Sequence, residues 1–436
     1  MSGAWSVIRH ILRITVVVFV ALLFLRGSVL ELGDQEEQVR AFTRHIEFDY
    51  ASWSLDAMMR KVRQIGLGTA DYLPAEYQSQ MVLDYLDLVD QILQYESLLD
   101  EYYSNPEITD PETASKPLRT ELDQLYERRQ HLAPLAEAIF QNQLTSVIDK
   151  LDLTLGGQSI PPALYHVTPL PLALIISPRD VIQRDAHISL QHEFTTDQRA
   201  ALEEQIDQAL NVSSLVVNVG GIGMYPTMVI QTTNINWLAE VVAHEWIHNY
   251  LNLRPLGVSY GESFELRIIN ETTASIAGNE VGAALIEQYY PEFAPPPPEP
   301  VTESSEDAGP QLSDPVEDES FDYAQDKPFD FRAAMHETRL KADGMLAEGK
   351  IEEAEAYMEA RRQIFVENGY RIRKLNQAYF AFHGAYADLP GGAAGAAEDP
   401  VGKAVRTLRA QSSSLAEFVN RISWMWSFEQ LLTVVN

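Results

Sequence analysis

The sequence predicts an α+β chain that is predominantly α. Three observations lead there. The stretches 33–155 and 329–436 carry apolar residues at helical spacing. Short runs rich in β-branched residues cluster between 157 and 234. Between them and the second helical region, His244-Glu245-Trp246-Ile247-His248 matches H-E-x-x-H within an apolar, helix-periodic segment.

A chain of 436 residues is long enough for two or three domains and a sizeable core. The net charge of −31 argues against nucleic-acid partners, which need a basic surface, and against docking on anionic lipid. The absence of cysteine removes disulfides, thiolate-ligated metals and thiol catalysis.

Taken in order, residues 1–32 place Arg9, His10 and Arg13 before the apolar run 14–25, with Glu31, Asp34, Glu36 and Glu37 after it. That asymmetry predicts a single-pass membrane anchor with its N-terminus inside and the rest of the chain extracytoplasmic. The uninterrupted core is shorter than the roughly 20 residues of a full span, and lengthens only if Arg13 and Arg26 snorkel. A cleaved signal segment is the rival, but no A-x-A site precedes Arg26.

Residues 33–155 form a predicted helical region. Val82, Leu83, Leu86, Val89, Ile92 and Leu93 set one amphipathic helix, a polar break spans Ser104–Ser115, and a second helix runs from Leu118 to about Leu151. A helical spacer packed on a catalytic domain, taken as 156–292, is the plainest reading. Strands are expected at Leu172–Ile176, Ser214–Val219 and Thr227–Gln231. A helix from Thr195 to about Leu210 opens on a capping box, Thr195 with Gln198. Gly220–Gly223 reads as a turn joining the last two strands of one small sheet, whose edge could pair with an extended peptide.

The H-E-x-x-H segment has apolar residues at 238, 241, 242, 247 and 251, and Pro255 and Gly257 stop it. Positions i and i+4 share a helix face, so His244 and His248 can aim two nitrogens at one metal ion, zinc by preference. Glu245 stands beside that ion as a candidate general base. A zinc site of this class takes a third protein ligand. Glu271 is favoured because Thr272, Ala274 and Ser275 let its helix, within 258–292, approach closely; Glu262, Glu265 and Glu280 are rivals.

Residues 293–328, rich in Pro, Glu, Asp and Ser, read as an extended acidic linker. Residues 329–436 are helical again: Arg332 to about Leu346, Ile351 to about Gln363, Ile372–Phe382, a flexible loop at Gly391–Gly395, and a final helix whose Phe418, Ile422, Trp424, Trp426 and Phe428 are expected in the core. Gly402-Lys403-Ala404 lacks the upstream glycine of a P-loop.

His244-Glu245-x-x-His248 followed by Asn270-Glu271-x-x-Ala274 resembles the gluzincin class of zinc metallopeptidases. It is similar, more narrowly, to a bacterial family of membrane-associated or periplasmic aminopeptidases. The likeness covers roughly 186–290 and, more weakly, 355–390, where Leu375-Asn376-Gln377-Ala378 and Tyr386-Ala387-Asp388-Leu389-Pro390 carry it. It implies a zincin-like domain with two zinc-site helices and a small sheet, one Zn2+ per chain, and a peptide or protein substrate. It also implies that Glu245 is the general base. Ser275 stands where gluzincins with N-E-x-x-x-D carry an acid, so the support of the zinc-bound histidines must differ. Tyr386, Tyr260 and Tyr379 are candidates to steady the oxyanion, and the resemblance alone favours Tyr386. Two other classes stay open: an anchored helical scaffold with a structural or inactive metal site, and a zinc hydrolase of non-peptide amides. Exo- against endopeptidase action and oligomeric state are also open.

Overall fold

The computed structural model of the chain describes residues 35–104, 108, 110–295, 329–383 and 400–435. The chain is mostly helical with a smaller β component, the α+β class that the sequence predicts. It opens with α1 (Gln35–Thr43), α2 (Tyr50–Leu67), α3 (Ala75–Ser104), a single turn α4 (Pro111–Ala114) and α5 (Lys116–Lys150). Helices α3 and α5 lie side by side. Leu88, Ile92, Leu122 and Leu125 form one small apolar cluster between them. Val82, Leu86, Val89, Ile139 and Phe140 instead join the main core, which also contains the H-E-x-x-H helix.

The β structure is two three-stranded sheets rather than the single small sheet expected. Strands β1 (Tyr165–Val167), β2 (Leu172–Pro178) and β3 (Ala186–Leu190) are followed by α6 (Thr196–Leu210). Then come β4 (Val212–Val217), β5 (Gly221–Ile222) and β6 (Thr227–Val229). One sheet has the order β3-β2-β4, antiparallel throughout; the other has the order β1-β6-β5. Strand β2 is a continuous apolar run because both of its faces are covered. Leu172, Leu174 and Ile176 meet Ile206 of α6 and Val39 of α1. Ala173 and Ile175 meet the helices that follow residue 330. The capping box of α6 is present: Thr195 Oγ1 accepts from the Gln198 amide at 3.3 Å, and Gln198 Oε1 accepts from the Thr195 amide at 2.9 Å. Gly221 and Ile222, expected in a turn, form β5 instead and pair with Val229 and Met228.

The centre is α7 (Ile235–Leu251) packed along α9 (Phe264–Tyr289), with the short α8 (Pro255–Val258) in the turn between them. Asn234 starts α7, its Oδ1 accepting from the amides of Asn236 and Trp237 at 3.0 and 3.1 Å. Ser263 starts α9 in the same way. The two helices touch through small residues. A Cβ added at Gly278 would lie 2.9 Å from His244 Cα, and one at Gly282 would lie 3.0 Å from Glu240 Cα.

The remaining helices are α10 (Phe331–Ala347), α11 (Ile351–Glu367), α12 (Gln377–His383), α13 (Pro400–Gln411), α14 (Leu415–Ile422) and α15 (Phe428–Val435). Two expectations change here. The helix predicted from Ile372 begins only at Gln377, because the preceding irregular segment is tied by its side chains to the sheet and α6. Arg373 pairs with Glu203, Lys374 Nζ lies 2.8 Å from Asp207, and Asn376 donates to Ser214 O. The final helix is broken in two, and Trp424 and Trp426 are 64% and 54% exposed rather than buried; Met425 between them points inward.

The membrane expectation is also corrected. Among the described residues no helix is long and apolar enough to cross a membrane, so a single-pass placement has no spanning helix behind it. The anchor expected at 1–32 lies outside the described residues, as do Tyr386, the Gly391–Gly395 loop and all but the first few residues of the acidic linker.

Candidate metal centre

Helix α7 presents His244 and His248 on one face, a single turn apart. Their rings are 4.8 Å apart between centroids, and their Nε2 atoms are 3.1 Å apart. Helix α9 brings Glu271 against both. Its Oε2 is 3.7 Å from His244 Nε2 and 3.3 Å from His248 Nε2. These three residues are the group of potential metal ligands among the described residues, with ligand atoms all within 4.8 Å of one another.

The donor set fits a small divalent ion. A tetrahedral ion with ligands at 2.0–2.1 Å separates its ligand atoms by roughly 3.3–3.4 Å. The three observed separations of 3.1, 3.3 and 3.7 Å bracket that value. The orientation of His248 fits as well. Its Nδ1 lies 2.8 Å from Asn270 Oδ1, and Asn270 Nδ2 donates to Leu256 O at 3.3 Å, which settles which way the amide faces. Nδ1 therefore carries the proton and Nε2 offers its lone pair to the cluster. Asn270 does for His248 what the missing acid at Ser275 could not.

The rival glutamates fall away. Glu262 and Glu265 are exposed, and Glu280 is held by the Arg409 guanidinium at 2.6 and 2.8 Å. Electrostatics sets Glu271 apart too. Burial pushes its carboxyl up, but the His248 and His244 rings outweigh this and hold it well below the usual carboxylate range. Burial pulls His248 down, while Glu271 more than offsets this and takes it to about 9.

Glu245 is buried beside this group. Its carboxylate lies under the backbone of β5: a Cβ at Gly221 would be 2.6 Å from Oε1, and one at Gly223 would be 3.3 Å from Oε2 and 3.0 Å from His248 Cβ. A side chain at either position would press on Glu245 or His248. Asn249 ties the same strand region to α7, donating to Met224 O at 3.0 Å and Thr227 Oγ1 at 3.1 Å. Burial raises the Glu245 carboxyl above its ordinary value, against the attraction of the two histidines.

Of the two tyrosine candidates within the described residues, Tyr260 reaches the cluster. Its hydroxyl donates to Glu271 Oε1, the oxygen turned away from the histidines. Tyr379 packs on Phe380 and His383 in the core beneath β2 and β4. Sequence reasoning met Asn270 only as the first letter of Asn270-Glu271-x-x-Ala274 and gave it no role, and it missed Asn249, which belongs to no motif. It met Gly221 and Gly223 but read them as a turn, since the need for glycine comes from a carboxylate supplied by another element.

No family model, curated protein or solved structure matches the chain.

Proposed function

We propose that the protein is a zinc-dependent peptidase with a zincin-like catalytic core. One observation carries the reading: His244, His248 and Glu271 converge with Glu245 buried beside them. Two imidazoles and one carboxylate are the ligand set of catalytic rather than structural zinc, since three protein ligands leave a position open. A bound zinc ion supplies a Lewis acid that polarises a carbonyl and acidifies water.

The chain's own residues do the rest. Asn270 holds the His248 ring with Nε2 forward, and Tyr260 holds the outer oxygen of Glu271. Glu245 takes the proton of the attacking water on a carboxylate oxygen and returns it to the leaving amine. A peptide is favoured over other amides because β5 is the edge of its sheet and its backbone covers Glu245. An extended substrate pairing on that edge would be drawn across the site.

The test uses the full chain. Purified protein supplied with zinc should hold about one ion, and His248→Ala and Glu271→Gln should weaken or abolish binding. Glu245→Gln should keep the zinc and lose about 10²–10⁴-fold in peptide turnover. A well-folded wild type that takes up no zinc would return the chain to the scaffold reading. Normal cleavage by Glu245→Gln would remove the proposed base.

A further inference from the structure

Two cations beside the cluster have no part in the mechanism above. Arg267 sits one helical turn before Glu271 on α9, on the same face. Its Nε is buried and has no hydrogen-bond partner. Arg184, in the loop between β2 and β3, lies against the Tyr260 hydroxyl that donates to Glu271. His187, the second residue of β3, stands in the field of both arginines and of Glu271. Neither guanidinium is ion-paired with a carboxylate among the described residues.

This arrangement is costly as it stands. Burial, and then the charge of Arg184, lower Arg267. The one carboxylate acting on Arg267 is Glu271, which His244, His248 and Tyr260 already engage. A divalent ion in the cluster would offset that carboxylate and leave Arg267 without its counter-charge. In a chain of net charge −31, such a pocket of positive charge is an exception that calls for an anion.

We propose that Arg184 and Arg267 form a carboxylate-binding subsite beside the metal cluster, so that the preferred substrate carries an anionic carboxylate close to the bond that is cut. The planar guanidinium fork matches a carboxylate, and Arg267 Nε is a donor already facing away from solvent. The carboxylate is a peptide C-terminus or an Asp or Glu side chain. The assignment of a substrate class rests on the peptidase reading; the binding of the anion does not.

The experiment measures binding by calorimetry to zinc-supplied Glu245→Gln protein, in which complexes persist. Two peptide pairs are compared: N-acetyl-tetra-alanine as free acid and as amide, and an amidated tetra-alanine carrying one Asp or one Asn. The anionic member of at least one pair should bind on the order of tenfold tighter, with the gap closing as salt rises. A gap in the first pair assigns the C-terminal carboxylate; a gap in the second assigns the side chain. Arg267→Gln and, separately, Arg184→Gln should each shrink the gap. Binding within about twofold in both pairs, binding of none of the four, or a gap that survives both substitutions overturns the subsite. Wild-type hydrolysis of the same peptides separates the two readings. Cleavage without charge preference leaves the peptidase standing and removes the subsite. An arginine-dependent gap with no cleavage of any peptide keeps the subsite and removes the peptidase.

Discussion

Asn270 is one residue with two hydrogen bonds, and it decides which nitrogen of His248 faces the cluster. Its Oδ1 accepts from Nδ1 at 2.8 Å, and its own Nδ2 is spent on Leu256 O. Partners of this kind fix the tautomer and the ring plane of a ligating histidine. Asn270→Ala should therefore weaken zinc binding about 10–100-fold without unfolding the protein, measured by competition with a chelator. Retention of full affinity would mean that packing alone orients His248. Gly221 makes a different prediction. A methyl group at Gly221 would stand 2.6 Å from Glu245 Oε1, so Gly221→Ala must move the carboxylate or the strand. Zinc content should hold while peptide turnover falls by about 10²-fold, the cost of a misplacement on the order of 1 Å. Equal turnover in wild type and variant would show that β5 yields easily and is no part of the site.

At the scale of elements, the site is made by two helices that approach closely enough to share an ion. Gly278 and Gly282, four residues apart on α9, face the α7 backbone, and the atoms a Cβ would meet at Gly278 include His244 N and Cα. Backbone cannot rotate out of the way as a side chain can. Gly278→Ala should cost about 1–3 kcal/mol in urea unfolding and weaken zinc binding with it, because Glu271 rides on the helix that is displaced. A destabilised variant with unchanged zinc affinity would show that α9 bends locally rather than moving as a rod. Element boundaries were legible where local chemistry sets them, as in the capping box of α6. They were not legible where tertiary contacts override propensity. The segment before α12 has helical composition, yet the pairing of Arg373 with Glu203 and of Lys374 with Asp207 ties it down in an irregular course. Strand β5 has only two residues and two glycines nearby; its pairing with β6, not its composition, makes it a strand.

Across the whole molecule, the N-terminal helices are joined to β1 by a buried charge cluster that carries no sequence signature. Lys61 of α2 donates to Glu137 of α5, and Glu137 Oε1 accepts from the Val167 amide and His166 Nδ1 of β1, each at 2.9 Å. Burial alone would raise the Glu137 carboxyl, but Lys61 and His166 outweigh it and hold it at about 2. Burial lowers Lys61, against the attraction of Glu137. A carboxyl depressed from 4.5 to about 2 on folding contributes stability above pH 4.5, lost as the pH falls toward 2. The loss should be on the order of 3 kcal/mol. Urea unfolding of the wild type at pH 6 and pH 3 should show about 2 kcal/mol of this decline, because pH 3 still lies above the folded value, over and above that of Glu137→Gln; that variant should itself be less stable by about 3–5 kcal/mol at pH 6, having left Lys61 unpaired. Parallel pH profiles in the two proteins would mean that the cluster is held by its packing.

What the sequence determined by itself is what depends on spacing along the chain. The predominance of helix, the pairing of His244 with His248 across one turn, and the position of Glu245 beside them all follow from the 3.6-residue period. Glu271 could be favoured over Glu262, Glu265 and Glu280 from the small residues around it. Only the tertiary structure decided how distant segments meet: two sheets instead of one, Tyr260 rather than Tyr379 at the cluster, Asn270 behind His248, glycines over Glu245, and the partnerless Nε of Arg267 one turn from Glu271. The reason is physical. A helix period is a local property of the backbone, whereas which polar group must be satisfied, and by what, is settled only when folding removes water from both.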